Sequence, residues 1–409
     1  MAIGDLDFDL TDEQRRMRDL ARRFGADVLR PVGLRLDKLP DPAEVIAPGS
    51  ELWNAHRAFR ELGLHKATIF KTAGGLLGDI DPLSIILMVE EMGYADTGLA
   101  ISFGVDSMPF ALASLSPDPR LQELARAYCE DRNAQLIGCW GITEPDHGSD
   151  WILAHTKEVG SVPMVPNVRA VLKGDEYIIT GQKSAWVSNG TIATHASLHV
   201  SLDPDKGMGG AGVAVVPLDL PGVSKGKPLD KLGQRSLNQG EIFFEEVRIP
   251  RSFMVFPDPA VLADLHAMSL SRVNGGMGMV FAGLAHAAFD EAFRYSKERI
   301  QGGKAIVQHQ NVRLKLFRMF SMVESTRALV RRVGLHNALR VPPSAPHAVA
   351  TKVLATECAF QVASEAIQIF GGAGLSREYP VEKMFRDARA SMIEDGVNES
   401  LALAAMELM

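Results

Sequence analysis

The chain has 409 residues, enough for a large buried core and for two or three domains. Apolar residues make up 46% and charged residues 23%, and the net charge of −7 comes without any basic block, so nucleic acid is excluded as an expected partner. The only cysteines are Cys129, Cys139 and Cys358; their spacing excludes a disulfide framework and a structural zinc site and fits a reducing compartment.

The chain starts with Asp5, Asp7, Asp9, Asp12 and Glu13, a composition wrong for a secretory signal or a mitochondrial presequence. No apolar run reads as the roughly 18 residues that span a bilayer, so the expectation is a cytoplasmic protein without membrane insertion. Thr11, with Gln14 three residues on, predicts a capped helix start, followed by an amphipathic segment to Leu29 that Pro31 should end. Prolines 40, 42 and 48 make residues 35–50 a loop, and Glu51 to Leu62 reads as helix. The glycine-rich turn from Lys71 to Gly78 lacks the ending of a phosphate-binding P-loop. Pro82 to Met92 and Leu121 to Cys129 read as further helices.

From Leu136 to Pro250 short β-rich bursts take over. Val168–Leu172 and Tyr177–Thr180 predict a hairpin, and His195–Leu202, Gly212–Leu218 and Gly240–Ile249 further strands. Such strands suggest a small antiparallel barrel or sandwich. Helical periodicity returns after Pro257 and runs to Glu298. Val312–Leu335, His347–Phe370 and Val381–Asp387 complete a four-helix bundle, with Gly371-Gly372 stopping the third helix. The expected class is α+β: an all-α domain at 1–137, a β domain at 138–250 and an α-bundle domain at 251–409.

Four motifs occur in order: ITEPDHGSD at 142–150, GQKSAWVSNG at 181–190, LGQRSLNQGEIFFEEVRIP at 232–250 and QIFGGAG at 368–374. Together they resemble the acyl-CoA dehydrogenase family over nearly the whole chain, from Leu10 to Glu399. The resemblance implies FAD as cofactor, a homotetramer built as a dimer of dimers, an acyl-CoA substrate, and an electron-transfer flavoprotein as acceptor. It places Ile142 and Thr143 at the flavin ring, with Trp140 before them, and Gly148 and Ser149 at the pyrophosphate, Ser149 also bordering substrate. Trp186 is expected to lie along one face of the ring and Ser188 to bond near its N5. Arg299, Gln301, His309 and Gln310 resemble an arm to the FAD of a neighbouring subunit, although Gly302-Gly303 stands where the family has Phe-Gly. Gln368, Gly371 and Gly372 resemble the adenosine diphosphate contact, and Asn398 and Glu399 follow the closing loop onto the cofactor. Capped turns, core packing and helix stops account for several of these residues on their own.

Desaturation needs a base for the α proton while hydride leaves the β carbon. The family's glutamate aligns with Asp395, in Glu394-Asp395-Gly396-Val397, and the family's preceding tyrosine aligns with Glu394. Asp is one methylene shorter than Glu, ~1.5 Å in reach. The other family location for a base falls at Ser271-Arg272, which offers no carboxylate, and Arg272, Gly396 and Asp395 are expected at the substrate. Glu394 is the competing carboxylate, and Asp96 is better read as a helix cap. Gly93, Ala95, Gly98 and Ala100 are expected to leave room for an unusual cyclic or branched acyl group. Two alternatives stay open: a flavin oxidase on the same fold, of acyl-CoA or nitroalkane type, and a non-catalytic binding member. No metal site is expected.

Overall fold

The computed structural model describes residues 10–153 and 164–409; the acidic stretch from Asp5 to Asp9 lies outside them. Helix α1, Asp12–Phe24, opens on the expected capping box: the Thr11 hydroxyl accepts from the Gln14 N–H and the Gln14 side chain accepts from the Thr11 N–H. The helix does not stop at Pro31. A π turn at Gly25–Leu29 carries it into α2, Arg30–Asp37, with the Arg30 N–H bonded to the Gly25 carbonyl. The wider turn accommodates a proline whose ring and missing N–H would break a regular one. The expected loop at 35–50 is therefore shorter, and it contains a single turn, α3, Pro42–Val45.

Next come α4 (Glu51–Glu61), α5 (Pro82–Ala95), α6 (Thr97–Asp106), α7 (Met108–Leu115) and α8 (Pro119–Glu130). The stretch Thr97–Leu115 corrects the reading that no run is long and apolar enough to span a membrane: it has 19 residues and mean hydropathy 1.4. Yet 78% of it is buried inside the protein, as in a core element. Smallness near α5 and α6 serves close packing, not the roomy pocket expected from sequence. A Cβ on Gly93 would lie 2.1 Å from the Val280 carbonyl oxygen, and one on Gly98 2.3 Å from the Ser236 hydroxyl.

The middle of the chain forms one eight-stranded sheet: β1 (Gly138–Gly141), β2 (Arg169–Lys173), β3 (Glu176–Lys183), β4 (His195–Ser201), β5 (Ala211–Pro217), β6 (Val223–Lys225), β7 (Ile242–Pro250) and β8 (Met254–Phe256). The order is β6-β7-β3-β2-β4-β5-β8, with β1 beside β4. The β2–β3 hairpin is as expected, turning at Gly174 with φ +61°. Periodicity could not reveal that β1 runs parallel to β4, Gly138 opposite His195. One turn of helix, α9 (Asp150–Leu153), follows the loop after β1.

The 40-residue α10 (Pro259–Glu298) leads to a two-stranded finger, β9 (Ile300–Gln301) and β10 (Lys304–Ala305). Then come α11 (Gln310–Leu339), α12 (Ala345–Phe370), α13 (Val381–Ser391) and α14 (Asn398–Glu407). The first and last helices share one core: Phe24, Leu29 and Met92 are buried in the same cluster as Phe281, Leu284, Ala359 and Val362. The sheet encloses a second, around Ile179, Leu198, Val216 and Phe244. All three cysteines are free and buried.

Candidate functional site

Two loops leave the sheet side by side. One leaves β1 and carries Ile142 to Ser149; the other leaves β3 and carries Ser184 to Gly190. The Ser184 N–H donates to the Thr143 carbonyl at 2.9 Å. Beneath them Lys183 and Glu144, both fully buried, form an ion pair at 2.7 Å, and Lys183 also donates to the Ile142 carbonyl at 3.1 Å. Glu144 in turn accepts from the Asn167 and Val168 N–H groups. Burial pushes the Lys183 ammonium down to about 8, against the pull of Glu144. Both residues fall inside the motifs, but neither was singled out from sequence; a buried clamp has no periodic signal.

The clamped loops present few side chains outward. Trp186 is 57% exposed, although its N–H is bonded to the Ser184 hydroxyl and its carbonyl to the Gln239 side chain. Gln239 also donates to the Ser188 hydroxyl at 3.2 Å. Thr143 is half-buried, and among the described residues its hydroxyl and N–H take no partner. Gly148 is exposed and its N–H is held by Asp150. Trp140 is half-buried, with its indole N–H on His199 at 3.0 Å, which fits the packing account of that residue.

The far end of the chain returns to this surface. The turn between α13 and α14 carries Glu394, Asp395 and Gly396, and the Val397 N–H donates to the Ser149 hydroxyl at 3.0 Å. Asp395 has φ +51° and Gly396 φ +101°, both left-handed. The φ of +101° favours glycine at Gly396, and a Cβ there would also lie 2.0 Å from the terminal methyl of Ile152 on α9. Lys352 of α12, fully buried, ties the turn down with bonds of 2.8 Å to the Gly396 carbonyl and 2.8 Å to Asn398 Oδ1. Asn398 also donates an amide hydrogen to the Thr356 hydroxyl, so its side chain holds the turn. Glu399 is exposed in the first turn of α14.

Burial pushes the Asp395 carboxyl up to about 6, with Lys352 pulling the other way. Burial and the Asp395 charge push Glu394 up to about 7, against Gln234, Lys231 and Lys352. Burial lowers Lys352 to about 8, against Asp395, Glu394 and Glu399. Lys352 was missed from sequence, although a lone lysine in the apolar stretch Ala350 to Ala355 is a visible anomaly. Asp96 caps α6 through the Leu99 N–H and binds Ser236 and Lys383, as the capping reading expected. Arg272 is exposed on α10, and among the described residues no bond joins it to Asp395.

A second group lies at the end of the bundle. Tyr295 stacks on Phe370 at 3.9 Å, which sets the end of α10 beside the end of α12. Arg299, Gln301, Gln310, Gln368, Gly371 and Gly372 are all exposed there, and His309 bonds the Gln301 carbonyl at 3.0 Å. No hydrogen bond or ring contact among the described residues joins this group to the loops around Thr143, Trp186 and Asp395.

Three acyl-CoA dehydrogenase models match the chain: the N-terminal domain at 11–116, the middle domain at 139–247 and the C-terminal domain at 264–408. A probable acyl-CoA dehydrogenase of Bacillus subtilis, YngJ, is 30% identical over 96% of this chain and 97% of its own. A cyclohex-1-ene-1-carbonyl-CoA dehydrogenase of Geobacter metallireducens is 29% identical over 95% of this chain and 96% of its own. The structure of butyryl-CoA dehydrogenase from Megasphaera elsdenii superposes with a TM-score of 0.84 at 28% identity, covering 98% of this chain and 99% of that one. With three domain models in sequence and relatives matched end to end, the chain belongs to the acyl-CoA dehydrogenase family, FAD-dependent oxidoreductases acting on CH–CH groups.

Proposed function

We propose that the chain desaturates an acyl-CoA thioester between Cα and Cβ, with Asp395 as the base that takes the α proton. The observation that carries this reading is the bond from the Val397 N–H to Ser149, which joins the carboxylate turn to the loop of Thr143. FAD, when bound, supplies the acceptor for the hydride that leaves Cβ. The residues fit such a group. Thr143 offers a hydroxyl and N–H without a partner among the described residues, and Trp186 offers an exposed indole on a backbone tied at both sides. Ile142, Gly148, Ser149 and Ser188 complete that surface. Arg299, Gln301, His309, Gln310, Gln368, Gly371 and Gly372 serve the cofactor of a neighbouring subunit in a homotetramer, which is supported by their separation from Thr143 within one chain. Electrons then pass to an electron-transfer flavoprotein.

Among the described residues the N–H groups of Asp395 and Gly396 have no partner, so both are free to polarise the thioester carbonyl and acidify the α proton. Lys352 keeps the turn fixed and favours the ionised carboxylate. The test is anaerobic titration with a panel of acyl-CoAs while flavin absorbance is followed. Wild type bleaches; Asp395→Asn binds the same thioester and bleaches roughly 100-fold or more slowly, the usual loss for a general base. Wild-type rates in the variant would remove Asp395 from the role. A flavin that no thioester bleaches would overturn the dehydrogenase reading.

A further inference from the structure

One wall connects the base turn to the Trp186 loop, and it is polar. At one end the Gln234 amide donates to Glu394 Oε1 at 2.5 Å. At the other, Gln239 holds the Ser188 hydroxyl and the Trp186 carbonyl at 3.2 Å each and accepts from Lys231 Nζ at 2.6 Å. The backbone behind is rigid: Gln234 has φ +51°, its N–H bonds the buried Asp387, and the Leu229 N–H bonds the Gln239 carbonyl. Lys231 and Glu394 feel each other's charge, yet among the described residues they do not close into an ion pair. Both are half-buried. Glu394 Oε2 and two of the three Lys231 N–H bonds have no described partner.

If Asp395 is the base and the Thr143–Trp186 surface holds the cofactor, the reacting carbons lie between them and the acyl group runs along this wall. A plain alkyl chain there would strip water from Glu394 and Lys231 and give nothing back. A carboxylate on the acyl group would meet Glu394 as well as Lys231, and an ammonium would meet Lys231 as well as Glu394, so either charge meets one like charge. A hydroxyl suits both sides, accepting from Lys231 and donating to Glu394. We propose that the enzyme selects an acyl thioester carrying a hydroxyl beyond Cβ, held between Lys231 and Glu394. The proposal rests on the function assigned above and names its substrate class.

The experiment titrates wild-type holoenzyme anaerobically with butyryl-, pentanoyl- and hexanoyl-CoA, each against its ω-hydroxy counterpart. The expected result is half-bleaching at roughly tenfold lower concentration, or less, for at least one hydroxyacyl member. Lys231→Met should erase that preference while alkyl thioesters still bleach, and Glu394→Leu should erase it in thioester binding, read from the perturbed flavin spectrum, whatever its bleaching rate. Alkyl thioesters that bleach as readily as every hydroxy counterpart would overturn the hydroxyl assignment and leave the dehydrogenase reading intact. A preference unchanged in both variants would overturn the assignment to these two residues. A flavin that none of the thioesters bleaches would overturn the function itself, and this inference with it.

Discussion

At the scale of single residues the proposed base is Asp395. Its backbone is left-handed, an uncommon state for a residue with a Cβ, and the next residue, with φ +101°, sits where glycine is favoured. Those constraints fix the backbone that carries the carboxylate proposed as the base. Burial then sets its working range. A carboxyl raised to about 6 is protonated below that pH and is then too weak a base to take the α proton. The bleaching rate should therefore climb about tenfold per pH unit on the acid side and level off once Asp395 is ionised. On the alkaline side Lys352, lowered to about 8, loses its proton; its two bonds to the turn lose their charge assistance and Asp395 a stabilising charge, so the rate should fall again. Stopped-flow reduction from about pH 5 to about pH 9 reads both limbs, and their values belong to the Glu394–Asp395–Lys352 group as a whole. A flat profile would mean that another group takes the proton.

At the scale of elements, the legible parts were those with a local signature. The Thr11–Gln14 capping box, the hairpin at 169–183 and the helices after Pro257 all announce themselves through caps, alternation or helical period. Helices α6 and α7 did not, because helices that are mostly buried and apolar around most of their surface show no distinct apolar stripe. The π turn at Gly25–Leu29 was hidden for another reason: its need arises from Pro31 together with contacts to α5, and only the proline is visible locally. Motifs located Asp395 and Ser149 separately, whereas the bond that joins their loops is a tertiary fact. Lys352 is the clearest case of a working residue that the sequence showed and pattern reading passed over. Lys352→Met keeps the stem but removes the ammonium, which leaves the Gly396 carbonyl and Asn398 Oδ1 without that donor. Relief of a buried charge offsets part of the loss, so the net destabilisation should be about 1–2 kcal/mol in urea unfolding. The flavin bleaching rate should fall at least roughly tenfold with FAD content unchanged, because the turn is no longer held. A variant that is destabilised but reduces at the wild-type rate would make Lys352 purely structural.

At the scale of the whole molecule, the two groups of residues proposed to hold the cofactor do not meet within one chain. The Thr143–Trp186–Asp395 surface is clamped from beneath by a buried ion pair and from the far end by α12. The Arg299–Gly372 surface sits at the bundle end, and apolar side chains lie open among its residues. Ile300, between Arg299 and Gln301, is 61% exposed; Phe317, two turns beyond Gln310, is 64% exposed; Leu375, just past Gly372, is 75% exposed. Water is a poor partner for such a group, and a second copy of the chain would cover it while delivering Arg299 to the partner's cofactor phosphates. Assembly and cofactor retention should then be one equilibrium, since a ligand that binds only the assembled form stabilises it by mass action. Sedimentation across a dilution series, with protein-bound flavin measured on the same samples, should show FAD release tracking dissociation. Arg299→Gln should lower FAD occupancy without changing the sedimenting mass at high concentration, whereas Phe317→Glu should lower both. A monomer that keeps FAD on dilution, or an Arg299→Gln protein with full occupancy, would mean that each chain completes its own site and that the bundle end has no part in it.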